Sequence, residues 1–130
     1  MTGLDTNILV RFFVQDDVNQ SKRTDALMQS LSRVNTAFVS LVVLAEFAWV
    51  MRTHYGTSKL QFIDYIRQLI NSPEIVLENE AALQQGLDRF MESNADFADC
   101  VIERVCSLVG CSKTVTFDAK AAKSAGMVLV

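Results

Sequence analysis

Five carboxylates stand out by their neighbours: Asp5, Glu46, Asp96, Asp99 and Asp118. Asp5 follows a very short apolar start and precedes Thr6, Asn7 and the run Ile8-Leu9-Val10. This reads as a strand end, an acid at the strand's carboxyl edge and the first turn of a helix, which is where open parallel sheets bind ligands. Asp118 repeats the arrangement after Val115-Thr116-Phe117. Aspartate there is also an ordinary helix N-cap, so each has a bland reading on its own. The two gain weight together if their strands are neighbours, because the carboxylates would then face each other across one crevice. Asp96, Asp99 and Glu103, spaced by three and four, form an acidic stripe on one helix, with Phe97, Val101, Val105 and Leu108 on another face. A solvated stripe is the expectation for Asp96 and Glu103; spacing alone leaves Asp99 open.

Glu46 is the most informative acid. Its helical neighbours Val42, Val43, Trp49 and Val50 are all apolar, so it is expected off the solvated face. A buried carboxylate needs a cation, a hydrogen-bond network or a pocket. A functional site is preferred here over a buried pair with a distant arginine.

Three or four carboxylates sharing a pocket at neutral pH require a cation to offset their repulsion. Oxygen donors with retained waters suit Mg2+ or Mn2+. Such a site turns water into a nucleophile and clamps a phosphate. Thr6, Asn7, Ser40 and Thr116 flank these acids with short polar side chains, which would either orient carboxylates as an outer layer of the site or simply cap helices. No serine–histidine or cysteine–histidine arrangement competes, nor does a phosphate-cradling glycine loop. The single histidine, His54, ends an apolar helix and reads as structural or surface.

The elements that must position these groups alternate. Helices are expected over 6–14, 18–34, 41–55, 59–70, 80–92, 96–109 and 119–124. In the second of these, Ala26, Leu27, Leu31 and Val34 fall at helical spacing. Strands are expected at 3–4, 36–40, 75–77, 113–117 and 127–130. Gly56 and Gly110 read as helix stops, Ser58 as a cap and Ser72-Pro73 as a break. Strand–helix alternation implies a parallel sheet covered on both faces. At 130 residues one domain over 1–130 is expected.

Half of the residues are hydrophobic and mean hydropathy is +0.21. This oily composition suggests apolar surface kept for a partner. The longest apolar run, 37–51, is broken by Ser40 and Glu46 and falls short of the roughly 20 residues a bilayer span needs. The start lacks a basic region and meets an acid at once, so a cytoplasmic protein without a leader is expected. Three cysteines, Cys100, Cys106 and Cys111, lack zinc-site spacing and read as buried or inert thiols. The net charge of −3 argues against a polyanion partner unless cations on the acids offset it.

In four stretches the chain resembles a PIN domain, in particular the VapC-like toxin ribonucleases of bacterial toxin–antitoxin pairs. These are Leu4 through Arg11, Ser40 through Glu46-Phe47, Ala95-Asp96-Phe97-Ala98-Asp99-Cys100-Val101-Ile102 and Val115-Thr116-Phe117-Asp118, in order along nearly the whole chain. The resemblance maps the family's four acids onto Asp5, Glu46, Asp99 and Asp118, with Asp96 assisting the metal and Thr116 matching a hydroxyl before the last acid. It implies a three-layer α/β/α sandwich around a parallel sheet of four to five strands. It also implies an Mg2+- or Mn2+-dependent endoribonuclease, homodimeric and neutralised by a small antitoxin whose arginine enters near the acids. Small residues often follow the third acid's apolar pair in the family. Glu103-Arg104 stand there instead, which bears on pocket shape and substrate. Arg11, Lys120 and Lys123 lie near strand ends, where solvated surface charge is preferred over contact with the RNA backbone. Two rivals remain: a metal- or protein-binding module without turnover, and a phosphatase with Asp5 as nucleophile. The second lacks the usual general acid and leaves Glu46 without a role.

Overall fold

The computed structural model describes residues 1–130. The chain is α/β, with seven helices and five short strands whose pairings are all parallel. It divides into two compact units, Met1–Glu78 and Asn79–Val130.

In the first unit the order is β1 (Thr2–Gly3), α1 (Thr6–Phe13), α2 (Val18–Ser30), β2 (Ala37–Val39), α3 (Leu41–Thr53), α4 (Lys59–Ile70) and β3 (Ile75–Leu77). The strands form one sheet in the order β1-β2-β3, with Thr2 opposite Ala37 and Ala37 opposite Ile75. Parallel neighbours need crossover connections, and the helices supply them. Ala37 and Val39 of the central strand are fully buried. Around them lie the fully buried Leu9, Leu44, Phe47, Met51 and Ile66, with Phe13 stacked on Tyr65 at 4.4 Å between ring centroids. Local signals fix the helix starts: Asp17, Ser40 and Ser58 accept from the backbone N–H groups of Gln20, Val43 and Gln61. Gly56, at φ +59°, ends the chain's run through α3, because a residue with a β-carbon resists that conformation.

The helix expected over 18–34 stops at Ser30. Ser32 Oγ accepts from the N–H groups of Val34 and Asn35, and Asn35 Nδ2 donates to Ser30 O at 3.0 Å. These side-chain bonds offer the backbone an alternative to the helix. Val34, expected on its apolar face, is exposed on the turn, and Ala26 is exposed as well.

The second unit runs α5 (Glu80–Glu92), α6 (Phe97–Leu108), β4 (Val115–Thr116), α7 (Ala119–Ser124) and β5 (Val128–Leu129). Strands β4 and β5 pair with each other, Val115 opposite Val128. The five strands thus form ladders of three and two. The strands before Asp5 and Asp118 are not hydrogen-bonded to each other, so the condition under which the two acids gain weight together is not met through strand pairing: β1 pairs with β2, and β4 with β5. Helices α5 and α6 pack closely at Gly86, where an added β-carbon would lie 2.9 Å from Val101 Cγ2. Ala95, Cys100, Ala121, Ala125 and Met127 form a small core with Phe90 against it.

Glu103, expected on a solvated stripe, is buried. Its carboxylate accepts from Arg89 Nη1 at 3.1 Å and from Arg104 Nε at 2.7 Å. Arg89 Nη1 also donates to Ala125 O at 2.7 Å, tying α5 to α6 and to the end of α7. Cys100 is buried, as expected, whereas Cys111 is exposed; all three thiols are free. No helix is long and apolar enough to cross a membrane.

Candidate functional site

Aspartate is among the best helix-capping residues, and a cap accepts a hydrogen bond from the first turn. Five of the seven helices use their N-cap side chain this way. Asp5 before α1 and Asp96 before α6 sit at the N-cap position without making that bond. Neither carboxylate caps its helix, and both are acids that the sequence marks.

In the second unit the structure brings Asp96, Asp99 and Asp118 within electrostatic reach of one another. Asp99, half-buried in the first turn of α6, has its carboxyl held above the usual carboxylate range, first by burial and then by repulsion from Asp96 and Asp118. Lys120 partly counters this, and its Nζ lies 3.7 Å from Asp96 Oδ1. Thr116 Oγ1 accepts from the Asp118 N–H at 3.0 Å and so sets the turn on which Asp118 stands. Asp118 Oδ1 caps α7 through the N–H groups of Lys120 and Ala121. One carboxylate oxygen thus fulfils the capping reading and leaves the other for a ligand. Nothing local in the sequence links Asp96 to Lys120, 24 positions on; the pair arises because the N-terminal ends of α6 and α7 meet.

In the first unit Asp5 is exposed at the end of β1. Thr6 beside it is buried, and its Oγ1 has no hydrogen-bond partner. A buried hydroxyl without a partner is costly and uncommon. Asn7 is exposed on α1, in a cleft of ≈ 430 Å³ shared with Arg11 and Arg23. Ser40 caps α3, as its simpler reading has it. A residue that sequence reasoning passed over helps it: Glu78 Oε1 accepts from the Leu41 N–H at 2.8 Å.

Glu46 requires a correction. It is exposed, not withdrawn from solvent. Helix α3 is apolar almost all round, so apolar neighbours do not mark its core face. Leu44, Phe47 and Met51 face the core, while Val42 and Trp49 are 78% and 60% exposed beside Glu46. Arg11 is not free surface charge. Its guanidinium is held by Asp16 at 2.6 Å, Gln20 at 2.7 Å and Tyr55 at 3.1 Å.

No three carboxylate, thiol or imidazole groups close into a set that could hold a metal ion. Donor chemistry is a separate matter from present geometry. Asp96, Asp99 and Asp118 are hard oxygen donors whose mutual repulsion a divalent cation would relieve, and the residues fit such an ion on that ground.

The PIN domain family model matches residues 4–126. The chain belongs to the PIN domain family. Among solved structures, it is similar to the VapC20 toxin of Mycobacterium tuberculosis, a toxin that cleaves the sarcin–ricin loop. The two share 17% identity over 98% of this chain and 97% of the other, with a TM-score of 0.46. A search of curated proteins found no significant match.

Proposed function

We propose that this chain is a metal-dependent endoribonuclease, the toxin of a toxin–antitoxin pair, with residues 1–130 acting as one PIN domain. The observation that carries the reading is the gathering of Asp96, Asp99 and Asp118 at the starts of α6 and α7, with Asp99 held protonated more readily than an ordinary carboxylate. A site evolved only for stability has no use for that repulsion, whereas a cation-binding site does. Membership of the PIN family supports the same reading.

In this proposal Asp5, Glu46, Asp99 and Asp118 hold Mg2+ or Mn2+, with Asp96 assisting. When bound, the ion lowers the pKa of water and offsets phosphate charge in the transition state. The chain's own residues do the positioning. Thr116 fixes the Asp118 turn, and the cap on α7 anchors Asp118 Oδ1, so Oδ2 would be the oxygen offered to the ion. Asp5 and Asp96 stand at N-cap positions without making the capping bond, and Asp96 also lies beside Lys120. Asn7 and the orphan hydroxyl of Thr6 are the polar neighbours of Asp5 able to orient it. Ser40 acts indirectly, by fixing the start of the helix that carries Glu46. The exposed Val42 and Trp49 beside Glu46 supply apolar surface for an antitoxin or a second copy of the chain. The expected setting is the cytoplasm.

The test is cleavage of total RNA by purified protein with Mg2+, Mn2+ or chelator, beside Asp5→Asn and Asp99→Asn controls shown to be folded. Metal-dependent cutting that both controls abolish is the expected result. Cutting that survives both, or its absence from folded, partner-free protein with either metal, would move the reading to a binding module without turnover.

A further inference from the structure

The C-terminal end of α6 closes in a Schellman turn. Gly110, at φ +101°, takes the left-handed position after the C-cap Val109. Its N–H donates to Ser107 O at 3.0 Å, and the next N–H, that of Cys111, donates to Cys106 O at 3.0 Å. These two bonds define the motif, and it characteristically brings together the side chains at the two ends of the longer one. Those positions are normally filled by an apolar pair. Here both are cysteines.

The side-chain contact that this motif makes between those two positions brings their α-carbons toward the roughly 4.4–6.8 Å that a disulfide spans. Cys111 is exposed and Cys106 half-buried, so a small oxidant reaches the first and the second lies behind it. Cys100, fully buried two turns earlier, takes no part.

We propose that Cys106 and Cys111 are a redox-active dithiol that closes into an intrachain disulfide at the end of α6 when a low-molecular-weight disulfide accumulates. The Cys111 thiolate attacks one sulfur of the small disulfide and expels one reduced thiol, leaving a mixed disulfide. The Cys106 thiolate then attacks the Cys111 sulfur, forms the intrachain bond and expels the second thiol. Two protein thiols lose their protons and two electrons pass to the small disulfide. The closed form staples α6, which carries Asp99, to the segment leading into β4 and Asp118. In a reducing cytoplasm the pair is open at rest.

The sequence supplies a clean assay. Trypsin cuts after Arg104 and Lys113 and releases 105–113, which holds Cys106 and Cys111 without Cys100. The reduced full chain is equilibrated with glutathione disulfide, acid-quenched, alkylated in denaturant and digested. The expected product is peptide 105–113 lighter by two hydrogens and free of alkyl groups, reverting with dithiothreitol. In Cys106→Ser the glutathione adduct on Cys111 should persist at least about tenfold longer than in the wild type, since the intramolecular displacement is gone. Glutathione retained on Cys111 beside an alkylatable Cys106 would overturn the proposal. So would a Cys111-linked dimer, or a folded chain that resists oxidation while the denatured one oxidises.

Discussion

Arg89 on α5 donates from Nη1 to the Glu103 carboxylate on α6 at 3.1 Å, and the same nitrogen donates to Ala125 O at the end of α7. One guanidinium thus joins three helices of the second unit. Removing one partner of a buried pair costs about 3–5 kcal/mol because the other is left uncompensated. Arg89 is a third exposed, at 34%, so the lower end applies, and Glu103→Ala should lower unfolding free energy by about 3 kcal/mol in denaturant melts. The pH dependence has a defined sign. The hydrogen bond from Arg104, then the charges of Arg104 and Arg89, hold the Glu103 carboxyl below the usual range against the opposing effect of burial. Its stabilisation is therefore full above the ordinary glutamate value and is lost as pH falls through the lowered one. Melting temperatures from neutral pH downward should fall more steeply for wild type than for Glu103→Gln.

Asp99 predicts the opposite slope. Its carboxyl is raised, so the folded chain holds a proton there that the unfolded chain has released. Stability falls as pH rises through the window between the ordinary aspartate value and the raised one. Asp99→Asn should flatten that segment and stabilise the metal-free protein while removing RNA cleavage. Mg2+ or Mn2+ should raise the melting temperature of wild type and leave Asp99→Asn unmoved; at a hundredfold excess over Kd the linkage is about 2.7 kcal/mol. Equal cation effects on both proteins would count against Asp99 as a ligand.

Asp5 and Asp118 occupy the same position before a helix, but only Asp118 caps it. Asp118→Ala should cost about 1 kcal/mol through loss of the cap, and Asp5→Ala almost nothing. Both should abolish cleavage. Calorimetry beside the RNA assay separates the two roles, and a large stability loss from Asp5→Ala would show that its carboxylate holds the fold.

Thr6 offers a similar contrast. Its buried Oγ1 has no partner, so Thr6→Val, which keeps the shape and deletes the orphan group, should leave stability unchanged or raised. A drop in cleavage without a drop in melting temperature would identify the hydroxyl as an orienting group for Asp5.

Where local chemistry decides, the sequence is readable. The helices Lys59–Ile70, Glu80–Glu92 and Ala119–Ser124 have the bounds expected from their caps and breaks, as does the strand Ile75–Leu77. The end of α2 was hidden because the Ser32–Asn35 turn competes with an apolar spacing that still looks helical. The burial of Glu103 does not show in its spacing, because its partner Arg89 is 14 positions away on another helix. The exposure of Glu46 is not legible either, because apolar neighbours on an almost wholly apolar helix carry no direction. The acids of α6 and α7 were visible one by one, but their mutual repulsion depends on how the two helix starts meet, and spacing does not encode that.

Gly86 sets two effects of known size against each other. Alanine in place of glycine inside a helix gains about 0.8–1 kcal/mol of propensity. Against this, a β-carbon at Gly86 would meet Val101 Cγ2 at 2.9 Å and the Val101 Cα and N atoms at 3.2 Å. Overpacking a tight contact costs about 1–3 kcal/mol. The methyl of Val101 can turn away, but its backbone on α6 cannot, so the steric cost should prevail and Gly86→Ala should be destabilising. Gly86→Val should lose considerably more. A double-mutant cycle with Val101→Ala tests the cause: it should recover the part of the loss due to Cγ2 and leave the part due to backbone. Full recovery would mean that side chains alone set the α5–α6 distance, and no recovery would place the strain elsewhere.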